Sequence, residues 1–140
     1  MSFAKIDENN IERPEGKNCI LVYGYSQEEN SIIDDFSKKI GIENFIHIKN
    51  EKVHHTLEDL VLNNLDNSIS NHNVNEKAII FNAVSDKELN EFISKFKLLN
   101  LPRPLFAVVT PTSKKWKFIE LINELIKERE EFKKLHAQNK

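Results

Sequence analysis

The chain has 140 residues, 39% hydrophobic and 30% charged, with a net charge of −2. That is enough chain to bury one core, and too little net positive charge for a field that gathers nucleic acid or an acidic membrane surface. The lone Cys19 excludes an intramolecular disulfide and a multi-Cys metal cluster, and the apolar runs fall far short of the roughly 20 residues that span a bilayer.

Residues 1–17 are polar, carry Pro14 and Gly16, and lack periodicity. They are expected to form a flexible arm, with Phe3, Ile6 and Ile11 as its anchors. The opening "MSFAKIDENN" is polar and acidic and does not resemble a signal peptide. A cytoplasmic setting follows as the expectation.

Residues 19–25 (CILVYGY) form an apolar run of strand length, as in a strand covered on both faces. Ser26 caps the helix that follows, and Glu29 completes a capping box. Ile32, Ile33, Phe36 and Ile40 give that helix one apolar face, and Gly41 ends it. Residues 44–49 (NFIHIK) alternate and read as an edge strand. A second helix is expected over 56–65, with Leu57, Leu60, Val61 and Leu65 inward. The Asn- and Ser-rich stretch after it reads as a surface loop.

Residues 77–84 (KAIIFNAV) make a third, buried strand, and Ser85 with Glu88 repeats the capping box. Leu89, Phe92, Ile93, Phe96 and Leu99 line the third helix. Pro102 and Pro104 in "NLPRP" stop it. Residues 105–110 are the fourth strand, and a final helix is expected from about 113 to about 136.

The two halves echo one another. Ser26 and Ser85 stand 59 apart, whereas Phe45 and Phe106, Leu60 and Leu121, and Val61 and Ile122 are each 61 apart. The pseudo-repeats are 19–65 and 77–126, within a single α/β domain over 1–140. Helical crossovers imply a parallel four-stranded sheet of order 2-1-3-4 between two helix layers, with a long C-terminal helix.

In a parallel sheet of that order a crevice would open at the carboxyl ends of strands one and three. Gly24, Tyr25 and Ser26 would meet Asn82 and Ser85 there, with Thr110 nearby. Two helix N-termini would point at it, an arrangement that suits a small anion. Ser26 and Ser85 are accounted for as caps, and the structural reading is favoured for both. Three glycines in the whole chain exclude a Gly-rich phosphate loop. "TPTSKKW" after strand four reads as a helix cap followed by a Trp. His47, His54, His55 and His72 lack metal-ligand spacing; adjacent His54 and His55 are expected to diverge, so no metal and no cofactor is assigned. No nucleophile–base pair is apparent.

On the C-terminal helix, Phe118, Ile122, Leu125, Phe132 and Leu135 make an apolar stripe that continues past the sheet. This stripe is the candidate interface of a homodimer. The favoured function is a non-enzymatic protein-interaction module with an unidentified protein partner, without nucleic-acid or membrane binding. The alternative is a small-anion or metabolite sensor, or an enzyme, using the crevice.

From about residue 76 the chain resembles an uncharacterised bacterial domain family of unknown function. The resemblance rests on a strand ending before "SDKEL", a later strand ending in Thr110, and Trp116 followed by Leu121, Leu125 and Glu128. Where that family commonly has Asn three residues before the Trp, this chain has Ser113. The resemblance implies no activity. The fold is also similar to a truncated receiver domain. Asn82 stands at the phospho-acceptor position and Gly24 and Tyr25 replace the acidic pair, so that resemblance implies no receiver chemistry.

Overall fold

The computed structural model describes residues 9–138; Phe3 and Ile6 lie outside them. The element order is β1 (Cys19–Tyr23), α1 (Gln27–Ile40), β2 (Asn44–Ile48), α2 (Leu57–Leu62), β3 (Ala78–Asn82), α3 (Asp86–Lys95), β4 (Leu105–Val108) and α4 (Phe118–Gln138). Short 3-10 turns cover Asn50–Lys52, Phe96–Leu99 and Ser113–Lys115.

The four strands form one sheet of order β2-β1-β3-β4. The order is the expected one, but the sense is not. β1 runs parallel to β2 and β3 parallel to β4, whereas the central pair β1 and β3 is antiparallel. The sheet is therefore mixed, unlike the all-parallel sheet of a receiver-like fold. The reason lies between β2 and β3. α2 has six residues, a rise of roughly 9 Å, and residues 63–77 then bring the chain back toward the end it came from. Bonds near β1's carboxyl end hold this return. The Tyr23 hydroxyl meets Asn50 Oδ1 at 2.7 Å and the Val74 carbonyl at 3.0 Å, and Lys52 Nζ donates to the Asp66 and Ser68 carbonyls. β3 consequently starts beside Tyr23, with Ala78 as its register partner.

Alternation along the strands fills two cores. Cys19, Leu21, Tyr23, Ala78 and Ile80 face α2 and α4, where Leu57, Leu60, Phe118, Leu121 and Ile122 cover them. Ile20, Val22, Ile79 and Phe81 face α1 and α3. The second core explains the Phe-rich composition: Phe36, Phe81, Phe92, Phe96 and Phe106 stack and tilt against one another at centroid distances of 4.8–6.4 Å. Each fully buried Phe contributes about 1.5–3 kcal/mol.

Both capping boxes form, with Ser26 and Ser85 accepting from the N3 backbone and Glu29 and Glu88 reaching back. Gly41 closes α1 in the left-handed region. Two residues in the described part of the arm, Asn10 and Arg13, bond to α3 and to the end of α1. The Arg13 guanidinium donates to both Glu88 carboxylate oxygens (3.0 and 2.7 Å) and to the Gly41 carbonyl (2.8 Å), while Lys87 N–H donates to the Asn10 carbonyl. Ile11 is 72% exposed and anchors nothing.

The final helix also differs from expectation. Trp116 is extended, with ψ 147°, and separates the 3-10 turn from α4. At 21 residues α4 is roughly 32 Å long, longer than the five-residue strands it covers. Among the described residues no helix is long and apolar enough to cross a membrane.

Candidate functional site

The antiparallel central pair dismantles the expected crevice. Cys19, at the start of β1, is the register partner of Asn82, at the end of β3. Gly24, Tyr25 and Ser26 therefore lie past one end of the central strands, with Asn82 and Ser85 at the other end. The ends of such a strand are roughly 14 Å apart.

Each residue at the first end has a local role. Gly24 has φ +94°, and a Cβ there would lie 2.3 Å from the Glu76 carbonyl oxygen. Its backbone thus passes against the chain entering β3, which accounts for glycine without a ligand. Tyr25 is buried and its hydroxyl donates to the Pro102 carbonyl; burial, then the charge of Glu29, pushes its pKa upward. Ser26 is the α1 cap.

At the opposite end Asn82 and Thr110 do come together. They line a cleft of about 440 Å³ with Pro14–Lys17, Glu58, Val61 and Lys114. Asn82 Nδ2 donates to the Lys17 carbonyl (2.8 Å), which ties the arm to β3. Thr110 and Ser113 exchange bonds, Ser113 N–H to Thr110 Oγ1 and Thr110 N–H to Ser113 Oγ, both 2.9 Å. Ser113 is buried, so it serves the turn. Lys114 and Lys115 lie 3.7 and 3.0 Å from Glu58, and Lys115 above all holds that carboxyl below its usual range. Of the two lysines that line the cleft, Lys114 thus has Glu58 beside it. Ser85 is buried as the α3 cap.

The C-terminal stripe divides in two. Phe118, Ile122 and Leu125 are 0, 1 and 6% exposed and belong to the core, because α4 lies on the sheet over its first two turns. They offer no surface to a partner. Phe132 and Leu135 are 63 and 60% exposed. Between the two groups Arg129 forms a bidentate pair with Glu76 (2.6 and 3.1 Å) that fixes the helix beside the start of β3. Residues 130–136 beyond it are all exposed.

One group of side chains was not expected to assemble. His54 and His55 fall in the turn after Asn50–Lys52, and their rings converge, with centroids 4.3 Å apart. Asp66 joins them from the returning loop. One potential ligand atom from each of the three lies within 4.8 Å of the others. His54 Nε2 is 2.6 Å from Ser68 Oγ, and Ser68 Oγ also contacts Asp66 Oδ1. His54 Nδ1 and His55 Nε2 are buried without a hydrogen-bond partner. Burial, His55 and the nearby Lys52 and Lys117 lower the His54 pKa against the opposing pull of Asp66. The bonds from Ser68 hold Asp66 ionised. No spacing rule could have found this trio, because the chain return brings Asp66 to the histidines.

Cys19 is buried in the first core, and burial pushes its thiol up to about 11, which leaves it protonated and unreactive at neutral pH.

No curated protein and no solved structure matches this chain. Residues 77–132, from the approach to β3 into α4, match the family described as Domain of unknown function (DUF3783), an uncharacterised family as the SDKEL and Trp116 features implied.

Proposed function

We propose that the protein is a non-enzymatic interaction module that pairs with a second copy of itself through the end of α4. The observation that carries this reading is the exposure of Phe132 and Leu135 beyond the Arg129–Glu76 clamp. Two large apolar side chains three residues apart on an anchored helix form one largely exposed face, with the His136 ring 4.2 Å from that of Phe132. The flanking charges favour a second copy over an unrelated partner. Glu130 and Glu131 precede Lys133 and Lys134, so in a twofold antiparallel pairing the acidic part of one helix faces the basic part of the other.

The anion-sensor reading ranks second. Its two halves stand at opposite ends of the central strands, and in the cleft that retains Asn82 and Thr110 Lys114 lies against Glu58. We further infer that the chain is a single α/β domain whose βαβα halves descend from one duplicated unit. The equivalent capping boxes support the duplication. A buried, unreactive lone cysteine suits a reducing cytoplasm. Light scattering over a concentration series tests the pairing: mass should rise toward twice 16.4 kDa and stay monomeric in Phe132→Asp. A monomer at every concentration in the unsubstituted protein would refute it.

A further inference from the structure

We propose that His54, His55 and Asp66 form a binding site for a divalent transition-metal ion, with Zn²⁺ as the reference case. Three observations carry it. First, the donor set is two imidazoles and a carboxylate, which suits zinc. Second, the spacing is close to that of a chelate. Two ligand atoms each about 2.0–2.1 Å from a tetrahedral ion stand roughly 3.3–3.5 Å apart, and His55 Nε2 is 3.5 Å from Asp66 Oδ1. One potential ligand atom from each of the three residues, His54 included, lies within 4.8 Å of the others.

Third, the lone pairs are left available in the interior. His55 is 8% exposed, and its Nε2 has no hydrogen-bond partner; neither has His54 Nδ1. A buried polar atom without a partner is costly, and a metal would satisfy both. The contacts of Ser68 select the tautomer. Its one hydroxyl proton goes to Asp66 Oδ1, so toward His54 Nε2 it acts as acceptor. That places the His54 proton on Nε2 and leaves Nδ1 as a bare donor, with the outer nitrogen braced by a hydrogen bond as metal-bound histidines require.

The segment is built to hold this shape. Lys52 Nζ donates to the Asp66 and Ser68 carbonyls, and Ser70 N–H donates to the Glu51 carbonyl (2.7 Å). These bonds fix residues 66–70 against the turn that carries the histidines. Lys52 and Lys117 are the nearby cations opposing the ion. Asp66 is largely exposed, so the fourth position faces solvent and suits water.

The test is calorimetric titration of untagged, chelator-stripped protein with Zn²⁺, with Co²⁺ visible absorption as a coordination readout. One ion per chain should bind. Asp66→Asn and His54→Gln should each weaken binding about tenfold or more, and His55→Asn should abolish it, whereas His47→Gln and His72→Gln should leave it unchanged. Circular dichroism checks that each variant folds. If buried His55 proves necessary for folding, the Asp66 and His54 variants decide the matter. No saturable uptake, or uptake indifferent to Asp66→Asn and His54→Gln, would overturn the site and leave only a His55–Asp66 contact.

Discussion

Gly24 and Ala83 stand 59 residues apart in sequence and occupy the same left-handed turn in the two halves, with φ of +94° and +52°. Each follows a central strand and precedes a helix-capping serine by two residues. The antiparallel pairing of β1 and β3 nevertheless sets them at opposite ends of the strands. Only Gly24 faces backbone so close that a Cβ would lie 2.3 Å from it. Gly24→Ala should therefore cost more than about 2 kcal/mol, from strain and displacement of residues 76–77. Ala83→Gly should change stability by less than about 1 kcal/mol, since relief of strain offsets the added freedom of the unfolded chain. Urea denaturation of both variants checks the asymmetry; equal losses would contradict it.

The antiparallel register has a direct chemical test. Cys19 and Asn82 are register partners on the same sheet face, and Cα atoms of antiparallel partners lie about 4.5–5.5 Å apart, within disulfide range. Asn82→Cys should form an internal disulfide with Cys19 when the chain is refolded under oxidising conditions, where both thiols are accessible before the core closes, read as loss of titratable thiol without a change in mass class. In a parallel sheet Cys19 would sit beside the start of β3 instead, and two free thiols would persist.

Much of this architecture was legible in the sequence, for identifiable reasons. The capping boxes at Ser26 and Ser85, the Gly41 stop and the strand order follow from local chemistry and apolar periodicity, and the structure has them. The sense of β3 was not legible, because a strand reads alike in both directions. What reverses it is the ability of residues 63–77 to carry the chain back, and a polar loop gives no sign of its path. The His54, His55 and Asp66 group was hidden for the same reason. Phe118, Ile122 and Leu125 were legible as one stripe with Phe132, but where the sheet ends beneath that stripe is a matter of tertiary geometry.

The arm should contribute to acid sensitivity. Burial raises the Glu88 pKa, but the Arg13 guanidinium and the Ser85 N–H outweigh it and hold the carboxyl below its usual range. A folded-state pKa below the unfolded value gives stability present above about pH 4.3 and lost as pH falls through the folded value. Arg13→Ala should cost roughly 1 kcal/mol at pH 7, discounted for partial exposure. It should also flatten the acid limb of the stability–pH curve. An unchanged acid limb would show that the Arg13 pair does not stabilise the fold.

The pairing through α4 rests most directly on charge order, and a mixing experiment reads that order. Glu130→Lys/Glu131→Lys makes the exposed end of the helix basic, and Lys133→Glu/Lys134→Glu makes it acidic. Sedimentation equilibrium at low salt should find each variant monomeric alone, the unsubstituted protein dimeric, and an equal mixture of the two variants dimeric again. A monomeric unsubstituted protein, or variants that dimerise alone as readily as it does, would contradict the account.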